Sequence, residues 1–217
     1  MNTALNNKIT IQSLSSAYAK HSYAMFQKDD RDFNFNLFGL RSSILDTDTF
    51  NDIVGMFWKY QGTWQLRTYA ATTDPGLYYF ANPATSKGTH IMAEGQYKGA
   101  YALGRHQGKY EALVQVGGID FYIDNDRDTQ FDRGRIDKGI LIGANVHSVI
   151  NKSIPDMATA PDSDFPDRES TKVGNWSAAC QVLANPHQYR EFIALMYKSK
   201  DLYGNKFTYT LFEGNDF

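Results

Sequence analysis

Residues 56–73 read MFWKYQGTWQLRTYAATT, and the way apolar and polar side chains take turns along this stretch decides the class of fold. A period of two puts alternate side chains on opposite faces of an extended chain, which is the pattern of a strand with one buried face. The pattern is broken once, at Gln61-Gly62, where glycine's freedom at positive φ suits a tight reversal between two strands.

Working outward, the same alternation recurs in FNFNLFGLRSS (33–43), YALGRH (101–106) and KYEALVQV (109–116). Turn formers punctuate these runs at short intervals: Asp74-Pro75-Gly76, Gln107-Gly108 and Gly117-Gly118. The spacing predicts a twisted, mostly antiparallel sheet system. Helices are expected near the ends. Residues 10–28 place Ile11, Leu14, Tyr18 and Met25 on one face, and 185–199 place Tyr189, Phe192, Ile193 and Met196 at helical spacing. Asn185-Pro186 supplies a cap and a first-turn residue for the second helix. KFTYTLF (206–212) returns to period two as a last strand. Residues 152–172, rich in Pro, Asp and Ser, read as a polar insertion in an exposed loop, long enough to cover a site as a lid. The expectation is a mostly β, β-rich α+β protein, a twisted sheet or sandwich with flanking N-terminal and C-terminal helices. It forms one domain over 1–217, with a helical segment at 1–30 and the β-rich part at 31–217.

Composition narrows the function. The chain has 217 residues, 42% hydrophobic and 21% charged, enough to bury a core. With 22 Lys and Arg against 24 Asp and Glu, the net charge of −2 leaves no basic surplus for a nucleic-acid partner. No run reaches the roughly 18 apolar residues of a membrane span, and the N-terminal stretch lacks the pattern of a secretory signal. These features predict synthesis in a reducing cytoplasm without a signal peptide and no membrane partner.

One cysteine, Cys180, stands in VGNWSAACQV (173–182), and His147 ends the apolar run of GANVHSV (143–149). A lone intracellular cysteine is commonly a small buried hydrophobe. Here Gly174, Ser177, Ala178 and Ala179 give the backbone room to turn and present N–H groups, and an imidazole closing an apolar strand needs a partner or a task. Strands flanking the 152–172 insertion bring the two together as a nucleophile and its base, an arrangement expected to lower the thiol pKa.

These residues resemble the bacterial L,D-transpeptidases of the YkuD type, whose catalytic domain ends with a strand bearing a histidine, a loop, and a Ser/Thr-x-Gly-Cys segment. His147 in GANVHSV and Ser177-Ala178-Ala179-Cys180 are similar to those elements, and TTDPGLYYF (72–80) to the family's Thr-Pro-x-Gly-x-Tyr/Phe strand entry. The likeness covers roughly residues 65–185. It departs at Ala179 (usually Gly), Ala178 (usually His), Val182 (usually Arg) and in a longer His–Cys interval. The resemblance implies acyl transfer on peptidoglycan stem peptides without metal or other cofactor. Cys180 would attack the carbonyl before a D-amino acid, and His147 would move the proton. The backbone N–H groups of Ala179 and Cys180 would hold the oxyanion, with Ser177 shaping that turn. Trp176, Asn175 and Gln181 flank the nucleophile as substrate contacts, and Arg105 and His106 would join them if their strand lines the site. Without a signal, such an enzyme suits release at lysis or carriage in a virion, as a phage-type lysin. A second reading is a non-catalytic β-rich structural or carbohydrate-binding protein of virion type, its many Tyr and Trp serving contacts.

The acids Asp124, Asp126, Asp128 and Asp132 fall on positions 1, 3, 5 and 9 of a calcium-loop pattern, but Thr129 and Arg135 occupy the positions of its glycine and its bidentate glutamate. The reading is a solvated acidic turn, with calcium held as a stabilising ion the alternative. The other histidines, His21, His90 and His187, show no zinc spacing. The sequence does not fix an oligomeric state.

Overall fold

The computed structural model describes residues 6–26, 31–43, 48–128, 130–167 and 169–217. The stretch at 56–73 forms the hairpin its pattern predicts: β2 (Asp52–Tyr60) and β3 (Thr63–Thr72) pair antiparallel from Asp52↔Ala71 to Tyr60↔Thr63. Gln61 and Gly62 between them have φ of 49° and 76°. Two consecutive positive φ values make the two-residue turn whose twist matches that of the strands.

From this hairpin the sheet closes into an eight-stranded barrel. With β1 (Asn36–Arg41), β5 (Gly95–His106), β6 (Tyr110–Gln115), β9 (Val146–Ser148), β10 (Gln181–Leu183) and β11 (Phe207–Glu213), the order around it is β1-β11-β5-β6-β9-β10-β3-β2. Six of the neighbouring pairs are antiparallel, while β1 with β11 and β9 with β10 are parallel. The Gly117-Gly118 break leads out of the barrel into a three-stranded antiparallel sheet of β4 (Thr89–Met92), β7 (Ile119–Asp124) and β8 (Arg135–Ile140). Among the described residues the protein is mostly β with three α-helices, in line with the β-rich α+β expectation.

The strands are covered more fully than half-buried strands would be. In β2, Val54, Met56 and Trp58 face the barrel interior, while Ile53 and Phe57 on the other face pack under helix α1 (Ile11–Lys20). Tyr18 of α1 meets Phe57 and Phe212 edge-on, at 5.6 and 5.2 Å between ring centroids. Helix α1 is shorter than the sequence suggests. Thr10 caps it, its Oγ1 accepting from Ser13 N at 3.0 Å. It ends in a Schellman turn: Ser22 has φ 56°, Tyr23 N donates to Tyr18 O and Ser22 N to Ala19 O. Met25 therefore lies beyond the helix, and residues 27–28 fall outside the described residues.

TTDPGLYYF also differs from its expectation. The strand stops at Thr72, and Leu77–Ala81 form a short helix, α2. Helix α3 (Pro186–Tyr203) starts as predicted, with Asn185 Oδ1 accepting from His187 N and Gln188 N at 3.0 and 3.1 Å. Its residues Tyr189, Phe192, Ile193 and Met196 are buried in the main core. The 152–172 segment is, in most of its described residues, the exposed loop its polarity predicts, but Ile154, Met157, Ala160 and Phe165 are buried in that same core. Four apolar side chains at irregular spacing anchor it, a signal that composition averages away.

At one end of the barrel a fully buried arginine gathers the chain. Arg41 of β1 pairs through Nε with Asp74 (2.6 Å) and through Nη1 with Glu213 of β11 (3.1 Å), and its Nη2 donates to the carbonyls of Met92 (2.8 Å) and Thr73 (3.2 Å). Asp52 beside it accepts from Ser42 N, Thr73 N and Thr73 Oγ1 at 2.7–2.8 Å. Burial, and then the neighbouring Asp74, push the Asp52 carboxyl up to about 7. Asp52 thus binds its proton more tightly folded than unfolded, so its contribution to stability is full at acid pH and declines as pH rises toward 7.

Arg41→Met tests the cluster. Removing the cation strands buried carboxylates, and a loss of about 3–5 kcal/mol is expected in denaturant unfolding. A loss under about 1 kcal/mol would show that the cluster is not a keystone.

Candidate functional site

The register of the barrel brings His147 and Cys180 to one face. Strands β9 and β10 run parallel with His147 opposite Val182, so Cys180, just before β10, stands level with Asn145. Val146 and Leu183 point into the barrel, whereas Val149, Val182 and Cys180 belong to a separate outer cluster with Val173 and Trp176. By the alternation of strands, His147, Asn145 and Cys180 share this outer face. A two-residue offset on neighbouring strands is roughly 8 Å between Cα atoms from strand rise and spacing, within reach of two side chains.

His147 is buried and its tautomer follows from its partners. Nδ1 lies 3.0 Å from the Ser148 carbonyl, which can only accept, so the proton sits on Nδ1. Tyr110 Oη lies 3.2 Å from Nδ1 and donates to Ser148 O at 2.8 Å. Nε2 is left buried with no hydrogen-bond partner among the described residues. An unmet buried polar atom costs about 1–3 kcal/mol, a state that Nε2 shares with Trp58 Nε1, Tyr69 Oη and Tyr101 Oη of the barrel core.

The ring of His106 stacks on that of His147, with centroids 3.9 Å apart and planes 18° from parallel. Asn145 orients it. Asn145 Oδ1 accepts from Gln115 N at 3.0 Å, so its amide nitrogen faces His106 Nδ1 at 3.1 Å and makes that atom the acceptor. Asn145 N also donates to Cys180 Sγ at 3.3 Å. Asn145 and Tyr110 are the site residues that sequence reasoning missed. The only signal was their period-two position beside His147 and His106.

Burial, and then each other's or a lysine's charge, keep both imidazoles neutral. His147 is held down to about 3 by burial and His106, and His106 to about 4 by burial and the Lys109 ammonium. Burial pushes the Cys180 thiol up to about 11, against the depressed value expected from a Cys–His pair. Of the contacts to Sγ, the Gly143 carbonyl at 3.8 Å favours the protonated thiol and the Asn145 N–H at 3.3 Å the thiolate, so burial decides the direction.

The loop carrying the cysteine is held from several sides. Ser177 Oγ donates to Cys180 O at 2.8 Å, fixing the Ser-Ala-Ala-Cys turn, and Ala179 is buried beneath it. Gly174 N donates to Asp48 Oδ1, and Gly76 N to Ser177 O. Gly76 is needed for close approach: a Cβ there would lie 2.0 Å from the Gly174 carbonyl oxygen.

Beside these groups is a cavity of about 470 Å³ lined by Tyr79, His106, Gln107, Lys109, Tyr110, His147, Ile150, Asn151, Asn175 and Trp176. The structure therefore brings His147, His106, Asn175 and Trp176 to one cavity, whereas Cys180 does not line it and lies behind, in one apolar cluster with Trp176 and accepting from Asn145 N. Two expected contacts lie elsewhere. Gln181 is fully buried on the barrel side, accepting from Tyr209 Oη at 3.0 Å. Arg105 points away from its neighbour His106 and donates to the carbonyls of Gly108, Lys109, Ile154 and Pro155. Strand alternation separates Arg105 from His106, and Gln181 from Cys180. Among the described residues, none of 152–172 lines the cavity.

Asp126, Asp128 and Asp132 bring carboxylate oxygens within 4.8 Å of one another in the exposed turn between β7 and β8, while Asp124 is tied to Asp132 N at 3.0 Å. Among the described residues no helix is long and apolar enough to cross a membrane.

Two measurements follow from this geometry. The rate of Cys180 alkylation by iodoacetamide should be slow at pH 7 and rise with pH beyond 9. A plateau below pH 7 would contradict a neutral thiol beside a neutral imidazole. Gly76→Ala should lose about 1–3 kcal/mol of stability in denaturant unfolding, from overpacking against the Gly174 backbone. An unchanged midpoint would show that the two loops do not depend on this contact.

Comparison with protein families, curated proteins and solved structures found no match, so the chemistry of the site rests on its own residues.

Proposed function

We propose that this protein is a Cys–His acyl-transfer enzyme acting on the peptides of bacterial cell wall, with Cys180 as nucleophile and His147 as base. The observation that carries the reading is His147, a cavity-lining residue whose Nε2 is buried without a hydrogen-bond partner among the described residues, on the same barrel face as Cys180 and two residues away on the adjacent strand.

In this reading the thiol turns from the Gly143 carbonyl toward Nε2. Sulfur attacks the peptide carbonyl as its proton passes to Nε2, the N–H groups of the 178–180 turn face the oxyanion, and the imidazolium then protonates the leaving amine. With both groups neutral at rest, proton transfer accompanies attack rather than preceding it. Ser148 O and Tyr110 keep the ring in the required tautomer, in the manner of an orienting third group. Water as acceptor gives hydrolysis and an amine gives transpeptidation. Action on the wall after release, or from a virion, belongs to the same proposal.

A second reading is favoured by the raised thiol pKa and by the lining of aromatic rings and amides, Tyr79, Trp176, Gln107, Asn151 and Asn175, which suits saccharide binding without turnover.

Digestion of purified peptidoglycan, followed by mass spectrometry of released peptides, separates the two. Enzyme action predicts new peptide ends or cross-links, abolished in Cys180→Ala and reduced about 10²–10⁴-fold in His147→Ala. Binding to the wall with no peptide product, equal in parent and Cys180→Ala, would leave the second reading standing.

A further inference from the structure

Of the ten side chains lining the cavity, eight are aromatic, amide, aliphatic or phenolic groups or histidines, Gln107 adds one more amide, and Lys109 alone carries formal charge. Both histidines are neutral at pH 7. In a protein of net charge −2, the cavity at His147 and His106 is therefore cationic.

The position of Lys109 is built rather than incidental. Its N–H donates to His106 O at 2.8 Å, closing the turn between β5 and β6. Its carbonyl accepts from Arg105 Nη2 (2.6 Å), Ile154 N (3.0 Å) and Ser153 Oγ (3.2 Å). Arg105, which does not reach the cavity, thus spends its guanidinium on the backbone beneath Lys109. The ammonium itself is exposed and has no ion pair among the described residues. It stands close enough to His106 to disfavour that ring's protonation. The nearest acid along the strand, Glu111, is committed elsewhere, accepting from Met157 N at 2.7 Å and Tyr197 Oη at 2.8 Å.

We propose that Lys109 is the specificity-determining residue of this cavity and reads a free carboxylate on the bound peptide. The inference rests on the cavity being the peptide site of the proposed enzyme. A carboxylate is the complement of a lone ammonium in a wall of neutral donors and acceptors. Amides at Gln107, Asn151 and Asn175 suit the peptide groups that precede it.

The test uses Cys180→Ala, which binds without turnover, and measures dissociation constants for acetyl-L-lysyl-D-alanine and its C-terminal amide, two probes differing in one charge. The free acid should bind about fivefold more tightly, the order of one charge pair at a partly open site. The preference should fall to unity when Lys109→Gln is added and return with Lys109→Arg, and it should shrink as salt is raised. Equal binding of acid and amide, or a preference that survives Lys109→Gln, would overturn the role of Lys109 while leaving Cys180-dependent digestion of peptidoglycan untouched. Binding of N-acetylmuramic acid in place of the peptide acid would overturn the peptide assignment. A Lys109-dependent preference in a protein whose digestion assay fails would leave the carboxylate site standing and remove the acyl-transfer reading.

Discussion

The barrel depends on a single buried cation. Arg41 cannot shed its proton and is fully buried, so its charge must be met by protein oxygen. Asp74 pairs with it as a counter-ion, and Glu213 and the carbonyls of Thr73 and Met92 accept from its Nη groups. Those four partners come from the segment after β3, from β11 and from the end of β4. One side chain thus fixes where the barrel, its last strand and the three-stranded sheet stand relative to one another. Asp74 also begins the Asp-Pro-Gly turn, and two residues later Gly76 rests against Gly174 and Ser177. The geometry of the cysteine loop is in this sense inherited from a charge cluster at the barrel's end.

The β-rich class was legible in the sequence because strand alternation and Gln-Gly turns are local. Gln61-Gly62 and Gln107-Gly108 both take positive φ where the pattern breaks. The second helix was legible because Asn185 and Pro186 mark its start. What the sequence hid was non-local. Barrel closure by parallel pairing of β9 with β10 joins segments separated by a long insertion, and no periodicity reports it. The burial of Ile154, Met157 and Phe165 was masked by the Pro, Asp and Ser around them. Ser22 reversing helix α1 shows how a turn without glycine escapes a search for turn formers.

The site was half legible. His147 and Cys180 drew notice by residue type, and strand parity does place them on one face. The same parity, applied to neighbours, would have sent Arg105 and Gln181 away from the cavity that His106 and His147 line. The thiol environment could not be read at all. An imidazole nearby argues for a lowered pKa, but burial outweighs it and the N–H of Asn145, and burial is a property of packing. Asn145 has no conspicuous chemistry of its own, yet its amide and backbone touch His106, Gln115 and Cys180 together.

The barrel wall is thinnest where the site lies. Strands β9 and β10 have three residues each, and β9 meets β6 through the single pair Leu113↔Val146. Tyr189 compensates from helix α3, its hydroxyl bridging the carbonyls of Glu111 and Val146 at 3.0 and 3.1 Å. A side chain thus does there what a ladder of backbone bonds does elsewhere in the wall. Local opening draws on the regions with fewest such bonds, so this seam is the joint at which the barrel parts first. The residues around Cys180 and His147 can then shift by small amounts while the long hairpin of β2 and β3 holds its register.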